Sequence, residues 1–441
     1  MLNKNTNRAK IDLSIDPFAF YDIFKNYSLA AGNLVRNRER KGIRMNTEQM
    51  FNDSSRRGRP IEVVIVGAGH RSLLYASYAL KHPDKLVITG VVDPDPIRRQ
   101  KTAERFDLAA DQCFESVEQL TALPRTADAA INGTMDQLHV RTTLPLLKAG
   151  YHVLLEKPIA TSQEELLSLY EAAKQYKRTV MICHVLRYAP FYRQIREVID
   201  SGKIGDVVHI QTNEHVSYHH MAVAYIRGKW NSIENGGSSM LMAKCSHDLD
   251  LISWFSGSRP TKVSSAGSLT QFKPENAPEG AGTRCLKDCA IEATCPYSAK
   301  KNYIEQGKWG FYVWGNTFLG IHPSEEEKLR SLREDNPYGR CVWHSDNDVV
   351  DHQSVVVEFE NGCVATHNMV GGTSRPSRAI HITGTKGEIE GVLQDGKFTI
   401  RYPDARKGHE SKEETVHIDV KGDSHGGGDL QIGRASCRER V

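Results

Sequence analysis

Two hydrophobic periods run along this chain, and the change from one to the other falls near the middle. From Ile61 the run "IEVVIV" is apolar throughout, as expected of a strand buried on both faces. "RSLLYASYALKHP" follows at helical spacing, then "LVITGVVD", "ADAAINGT" (127–134) and "HVLLEKP" (152–158), with a helix containing "LPLLKAG" before the last of these. This repetition predicts an α/β architecture with a doubly wound parallel sheet. Beyond about residue 183 the pattern changes. "NEHVSYHHMAVAYIRGKWN" begins as a strand and becomes a polar loop, and "DNDVVDHQSVVVEFENG" alternates as a half-buried strand that starts at Asp351 and His352. Residues 236–255, "GGSSMLMAKCSHDLDLISWF", read as one amphipathic helix. Met242, Cys245, Leu249, Ile252 and Phe255 would face a core, while Lys244, His247 and Asp248 share another face.

The chain has 441 residues, which is room for two domains. A hydrophobic share of 39% and a charged share of 25% are those of a globular protein. The net charge is only +3 and the basic residues are scattered, which argues against nucleic acid as a partner. No apolar run reaches membrane-spanning length and no signal peptide is recognisable, so no membrane partner is expected and a cytoplasmic location is. Nine cysteines at irregular spacing do not resemble a disulfide framework.

Both ends look foreign to the fold. Residues 1–58 are expected to be a disordered tail, or a leader translated ahead of a start at Met45. Residues 432–441, "IGRASCRERV", resemble a translated sequencing adapter, with the natural chain expected to continue past Gln431. The expected domains are 59–182 for a nucleotide and 183–431 for a substrate, with a Gly- and Pro-rich insertion at about 268–340.

The first strand ends in Gly67-x-Gly69 and a helix follows, with His70, Arg71 and Ser72 at its start. The first glycine makes the turn and the second lets a pyrophosphate approach the backbone at the helix N-terminus. Ser72 stands where the fingerprint has a third glycine. Asp93, after the second strand, suits an adenosine ribose and disfavours a 2′-phosphate, so NAD is expected. Arg98 and Arg99 leave NADP open. A glycine turn in an unrelated α/β protein is the alternative.

At Glu156-Lys157-Pro158 the chain becomes recognisable. With "GTMDQLHV", "EKPIATS", "LRYAPFYRQIREVIDSGKIGDV" and "ITGTKGEIEG", it resembles the Gfo/Idh/MocA family over roughly residues 60–431. The family takes its name from glucose–fructose oxidoreductase, inositol dehydrogenase and a rhizopine-catabolism protein. The resemblance implies a Rossmann domain joined to a C-terminal α/β domain. The open, mostly antiparallel sheet of that domain faces the nicotinamide and joins subunits into a homodimer or homotetramer. It implies cofactor contacts from Gly67, Gly69, His70, Arg71, Ser72, Asp93, Thr134, His139, Glu156 and Lys157. It also implies that Lys157 meets the substrate hydroxyl and that His247 is the general base, with Asp250 as the acid after it. One departure stands out: Ala243 occupies the position where the family's dehydrogenases usually carry an aspartate. Lys244 is next in the chain and is expected to reshape the polar network and join the catalytic set.

Arg187, Tyr188, His220, Arg227, Trp230 and His352 are candidates for binding a polyhydroxylated ligand, with His219, Tyr225 and Asp351 nearby in sequence. "CLKDCAIEATC" supplies Cys285, Cys289 and Cys295, and Cys341 follows in "GRCVW". Four thiolates suit a structural zinc or an iron–sulfur cluster, and disulfides or reduced packed thiols are the alternatives. The expected function is an NAD(P)-dependent oxidoreductase acting on a secondary hydroxyl of a small-molecule sugar, glycoside or cyclitol. Two alternatives are a redox-neutral glycoside-cleaving enzyme that uses NAD transiently and a non-catalytic nucleotide-binding regulator.

Overall fold

The apolar run Ile61–Val66 (β1) lies at the centre of a parallel sheet. Leu86–Val92 (β2), Cys113–Phe114 (β3), Ala129–Asn132 (β4), His152–Leu155 (β5) and Val180–Ile182 (β6) complete it in the order β3-β2-β1-β4-β5-β6. The strand order reverses between β1 and β4, which opens a crevice at the carboxyl ends of the strands. The helices His70–Lys81 (α1), Pro96–Phe106 (α2), His139–Lys148 (α3) and Gln163–Tyr176 (α4) cover the sheet. Ile65, Leu73 and Tyr75 fill one core layer, and Val64, Val66, Leu146 and Val153 fill the other. Local signals start the helices. Asp95 accepts the amides of Ile97 and Arg98 ahead of α2, and Ser162 accepts that of Glu165 ahead of α4.

Pro190–Asp200 (α5) leads to a second sheet. Its strands are Val207–Ser217 (β7), Pro260–Ser268 (β8), His352–Phe359 (β9), Val364–Thr373 (β10), Ser377–Gly384 (β11), Glu388–Val392 (β12), Lys397–Pro403 (β13) and Ser411–His417 (β14). The order is β14-β13-β12-β11-β7-β10-β9-β8, and every neighbouring pair is antiparallel except β7 with β10. The helix Ser246–Ser256 (α6) packs on one face, where Ile195, Ile210, Leu251, Phe255 and Ile382 share a core. The Rossmann half and the open sheet are therefore as the hydrophobic periods and the resemblance imply.

This computed structural model describes residues 59–234, 237–419, 425–429 and 431–432. The expectations for residues 1–58 and 433–441 lie outside the described residues. Ile432 is fully buried against the Rossmann core.

Two local readings change. The predicted helix over 236–255 is two pieces, Met240–Ala243 and α6, broken at Lys244 and Cys245. Its supposed polar face is not solvated: His247 is 3% exposed, Asp248 2% and Asp250 4%. Asp250 meets Arg187 and Asp248 meets Arg378, while His247 lies against the rings of His184 and His425. The stretch after β7 is not a polar loop either. Tyr218–Ile226 winds into helical turns, and all of Met221–Ile226 is buried because "MAVAYI" has little polar surface to offer water. The insertion runs from Leu269 between β8 and β9, with Glu325–Glu334 (α7) as its longest helix.

Candidate active site

Gly67 has φ 77°, and a Cβ there would lie 2.9 Å from the Thr134 amide nitrogen, so only glycine fits the turn. Gly69 caps α1 in extended conformation, and no side chain satisfies the first amides of the helix. Those amides and the helix dipole suit an anionic pyrophosphate. Ser72 is fully buried, and a Cβ on Gly133 would collide with its Oγ; close packing explains the departure from the third glycine. Asp93 accepts the amides of Ala68 at 2.7 Å and Asp95 at 2.9 Å. Arg98 bonds Asn316 and Asp95, while Arg99 bonds the Asp93 carbonyl and Glu115. These residues form a cradle that fits a dinucleotide.

β5 carries the reactive end of the crevice. Glu156 accepts from Arg71 Nε at 3.0 Å and from Tyr75, and its other oxygen accepts the Lys157 amide at 2.8 Å. Burial alone would raise the Glu156 pKa, but Arg71 and Lys157 outweigh it and keep the group a carboxylate. His139 is buried, with its ring nitrogens facing the carbonyls of Pro158 at 2.6 Å and Thr134 at 3.1 Å. It therefore ties the β4 loop to the Lys157 loop. Lys157 Nζ donates to the Ala243 carbonyl at 2.7 Å, which fixes the ammonium one helical turn before His247. Burial lowers the Lys157 pKa, and Glu156 and Asp136 oppose that shift.

Neither ring nitrogen of His247 has a hydrogen-bond partner among the described residues. Burial pushes its pKa well below the usual histidine value, and the charge of Lys157 adds to that, so the ring is neutral. His184 stands edge-on to it at 6.0 Å between centroids, and His425 lies at 5.4 Å. Lys244 turns the other way: its Nζ pairs with Glu214 at 3.0 Å. Glu214 also pairs with Arg378, which sits directly across from it in the β7–β11 register, and Arg378 Nε lies 3.3 Å from Asp248. Cys245, Asp248 and His367 present ligand atoms within 4.8 Å of one another, but the Arg378 guanidinium already supplies the positive charge there.

The structure sorts the substrate candidates. His220 stacks on Trp309 at 4.5 Å, and Lys244 is among the charges that bear on it. Trp230 donates its indole N–H to Asp136 at 3.1 Å, and Asp136 is one of the charges acting on Lys157. These two border the site. Arg187 is spent on Asp250, with two contacts of 2.7 Å, and Tyr188 packs against the Rossmann core. Arg227 lies elsewhere, in a cavity with the four cysteines Cys285, Cys289, Cys295 and Cys341. His352 is on the β8–β9 side of the second sheet, bonded to Asp351 and Ser268. The fold gives each of these last four, expected as ligand contacts, a protein partner or packing surface. Sequence reasoning missed Asp136, His184, Tyr75, Arg378, His425 and Asp429. Asp429 is buried and pairs with Arg71 and His425 from a segment remote in sequence, so only Asp136, inside "GTMDQLHV", left a local signal.

A glycine-cradled crevice with a buried lysine and a neutral histidine at its inner end defines a Rossmann-fold oxidoreductase. The chain belongs to the Gfo/Idh/MocA family of oxidoreductases: residues 61–184 match its NAD-binding Rossmann domain and residues 196–424 its C-terminal alpha/beta domain. YteT of Bacillus subtilis (strain 168), named as an oxidoreductase, is 25% identical over 365 residues, covering 78% of this chain and 80% of that protein. Inositol 2-dehydrogenase of Corynebacterium glutamicum is 26% identical over 210 residues, which is 46% of this chain and 57% of the enzyme. The match thus spans little more than half of that enzyme's length. Levoglucosan dehydrogenase in complex with NADH has the same fold, with a TM-score of 0.62 at 15% identity, covering 86% of this chain and 90% of that one.

Proposed function

We propose that this protein oxidises or reduces a secondary hydroxyl of a sugar, glycoside or cyclitol, with NAD as its cofactor. The observation that carries this reading is the Lys157 ammonium, buried and tethered to the Ala243 carbonyl beside the unpartnered imidazole of His247. Nicotinamide, when bound, exchanges a hydride with the carbinol carbon. Gly67, Gly69 and the first amides of α1 would hold the pyrophosphate, and Asp93 the adenosine ribose. With Arg98 and Arg99 both engaged by protein carboxylates, little is left to greet a 2′-phosphate, which favours NAD.

The chain's own residues do the rest. Lys157 steadies the negative charge that develops on the substrate oxygen, because a desolvated ammonium interacts strongly with it. His247, neutral at working pH, accepts the hydroxyl proton. Lys244 is a positioning residue, acting through Glu214 and Arg378 at the start of α6. Arg71, Glu156 and Asp429 hold the Lys157 backbone from behind. The test is a panel of inositols, hexoses and aryl glycosides incubated with NAD. Net NADH accumulation with at least one polyol is expected. Aglycone release with no net NADH would sink this reading in favour of redox-neutral cleavage.

The outer face of the second sheet presents exposed Val356, Val364 and Val370 among Asn213, Thr366 and Asn368, and suits a second copy of the chain. Sedimentation as a dimer or tetramer is expected, and a monomer at micromolar concentration would contradict it.

A further inference from the structure

Cys285, Cys289, Cys295 and Cys341 converge from separated loop segments of the insertion to line a single cavity, together with Arg227 and Trp343. None of the four is in a disulfide. Arg227 is among the most deeply buried large side chains. Its guanidinium donates to the carbonyls of Arg340 and Tyr297, to the Tyr303 hydroxyl and, at 3.5 Å, to the Cys285 sulfur. No carboxylate of the described residues pairs with it, so a buried cation faces sulfur where it needs an anion.

We propose that these four cysteines hold a metal–thiolate centre, whose net negative charge Arg227 balances. Four thiolates around one cavity suit a zinc ion or an iron–sulfur cluster. The centre catalyses nothing in this account. It pins an insertion poor in regular structure, which carries Trp309 onto His220 and Phe311 onto His70, 4.6 Å between centroids. The metal therefore stabilises the wall of the crevice from a distance.

The experiment is elemental analysis of the whole protein, purified without oxygen, chelators or a metal-affinity resin, for iron, zinc and acid-labile sulfide. Stoichiometric iron with sulfide identifies a cluster; zinc without sulfide identifies a single ion; either supports the centre. Cys289→Ser and Cys341→Ser should each lower the bound metal by about tenfold or more. Cys113→Ser, in the Rossmann half, should leave it unchanged. Folded wild-type protein that binds NAD but contains neither metal, even after anaerobic reconstitution with iron and sulfide or with zinc, overturns the proposal. So does full metal retention in both ligand variants. Neither result bears on the oxidoreductase reading, because NAD binding and polyol turnover are read separately.

Discussion

At the scale of the residue, the site is a lysine held at its ammonium and at its amide. The ammonium of Lys157 is fixed by the Ala243 carbonyl, its amide by Glu156, and Glu156 in turn by Arg71 and Tyr75. Arg71 therefore sits where one substitution strips two buried carboxylates, Glu156 and Asp429, of their guanidinium partner. Arg71→Met should cost about 3–5 kcal/mol of stability, read by chemical denaturation; a loss below about 1 kcal/mol would show that the network is solvated. Lys157 and Gly67 were legible in the sequence because each belongs to a contiguous motif whose spacing carries its meaning. Glu214 and Arg378 were not. They face each other only because β7 and β11 align in one register, and no local pattern announces a pairing so far apart in the chain. Arg187 and Arg227 misled for the complementary reason: arginine suits a sugar hydroxyl, a buried aspartate and a thiolate alike, and only packing decides which it meets.

Among the elements, the glycine turn between β1 and α1 has the least freedom. Its first glycine is in the left-handed region with the β4 loop against it, so Gly67→Ala must either shift Thr134 or abandon the turn. The predicted outcome is loss of the thermal stabilisation that NAD confers on wild-type protein, with the variant still folded. An undiminished shift would place the nucleotide elsewhere. Strand and helix existence followed from the two hydrophobic periods. The break at Lys244 and Cys245 did not, because both pieces continue one apolar stripe. The break nonetheless matters to the site, since it leaves the Ala243 carbonyl beside the Lys157 ammonium.

For the molecule as a whole, the seam between sheet and Rossmann half is lined with histidines kept neutral. His184, His220, His247, His367 and His425 all have pKa values lowered, in each case by burial first. A lowered histidine binds fewer protons folded than unfolded. Its contribution is present above the unfolded value of about 6.5 and is lost as pH falls below it. Glu156 and Glu214 have lowered values too, but their share is lost only below about 4.5. The melting temperature should therefore begin to fall near pH 6.5, with net proton uptake on unfolding; a curve flat down to pH 5 would contradict the buried, neutral histidines. The central claim, that Lys157 and His247 act on one carbinol, has a more direct test. A polyol that the enzyme accepts, carrying deuterium on the reacting carbon, is incubated with NAD and either wild-type protein or Lys157→Met, and the NADH is weighed by mass spectrometry. Deuterated NADH is expected from wild type, with a rate lower by about a hundredfold or more in the variant and NAD binding intact. Unlabelled NADH, or an undiminished rate in Lys157→Met, would contradict it.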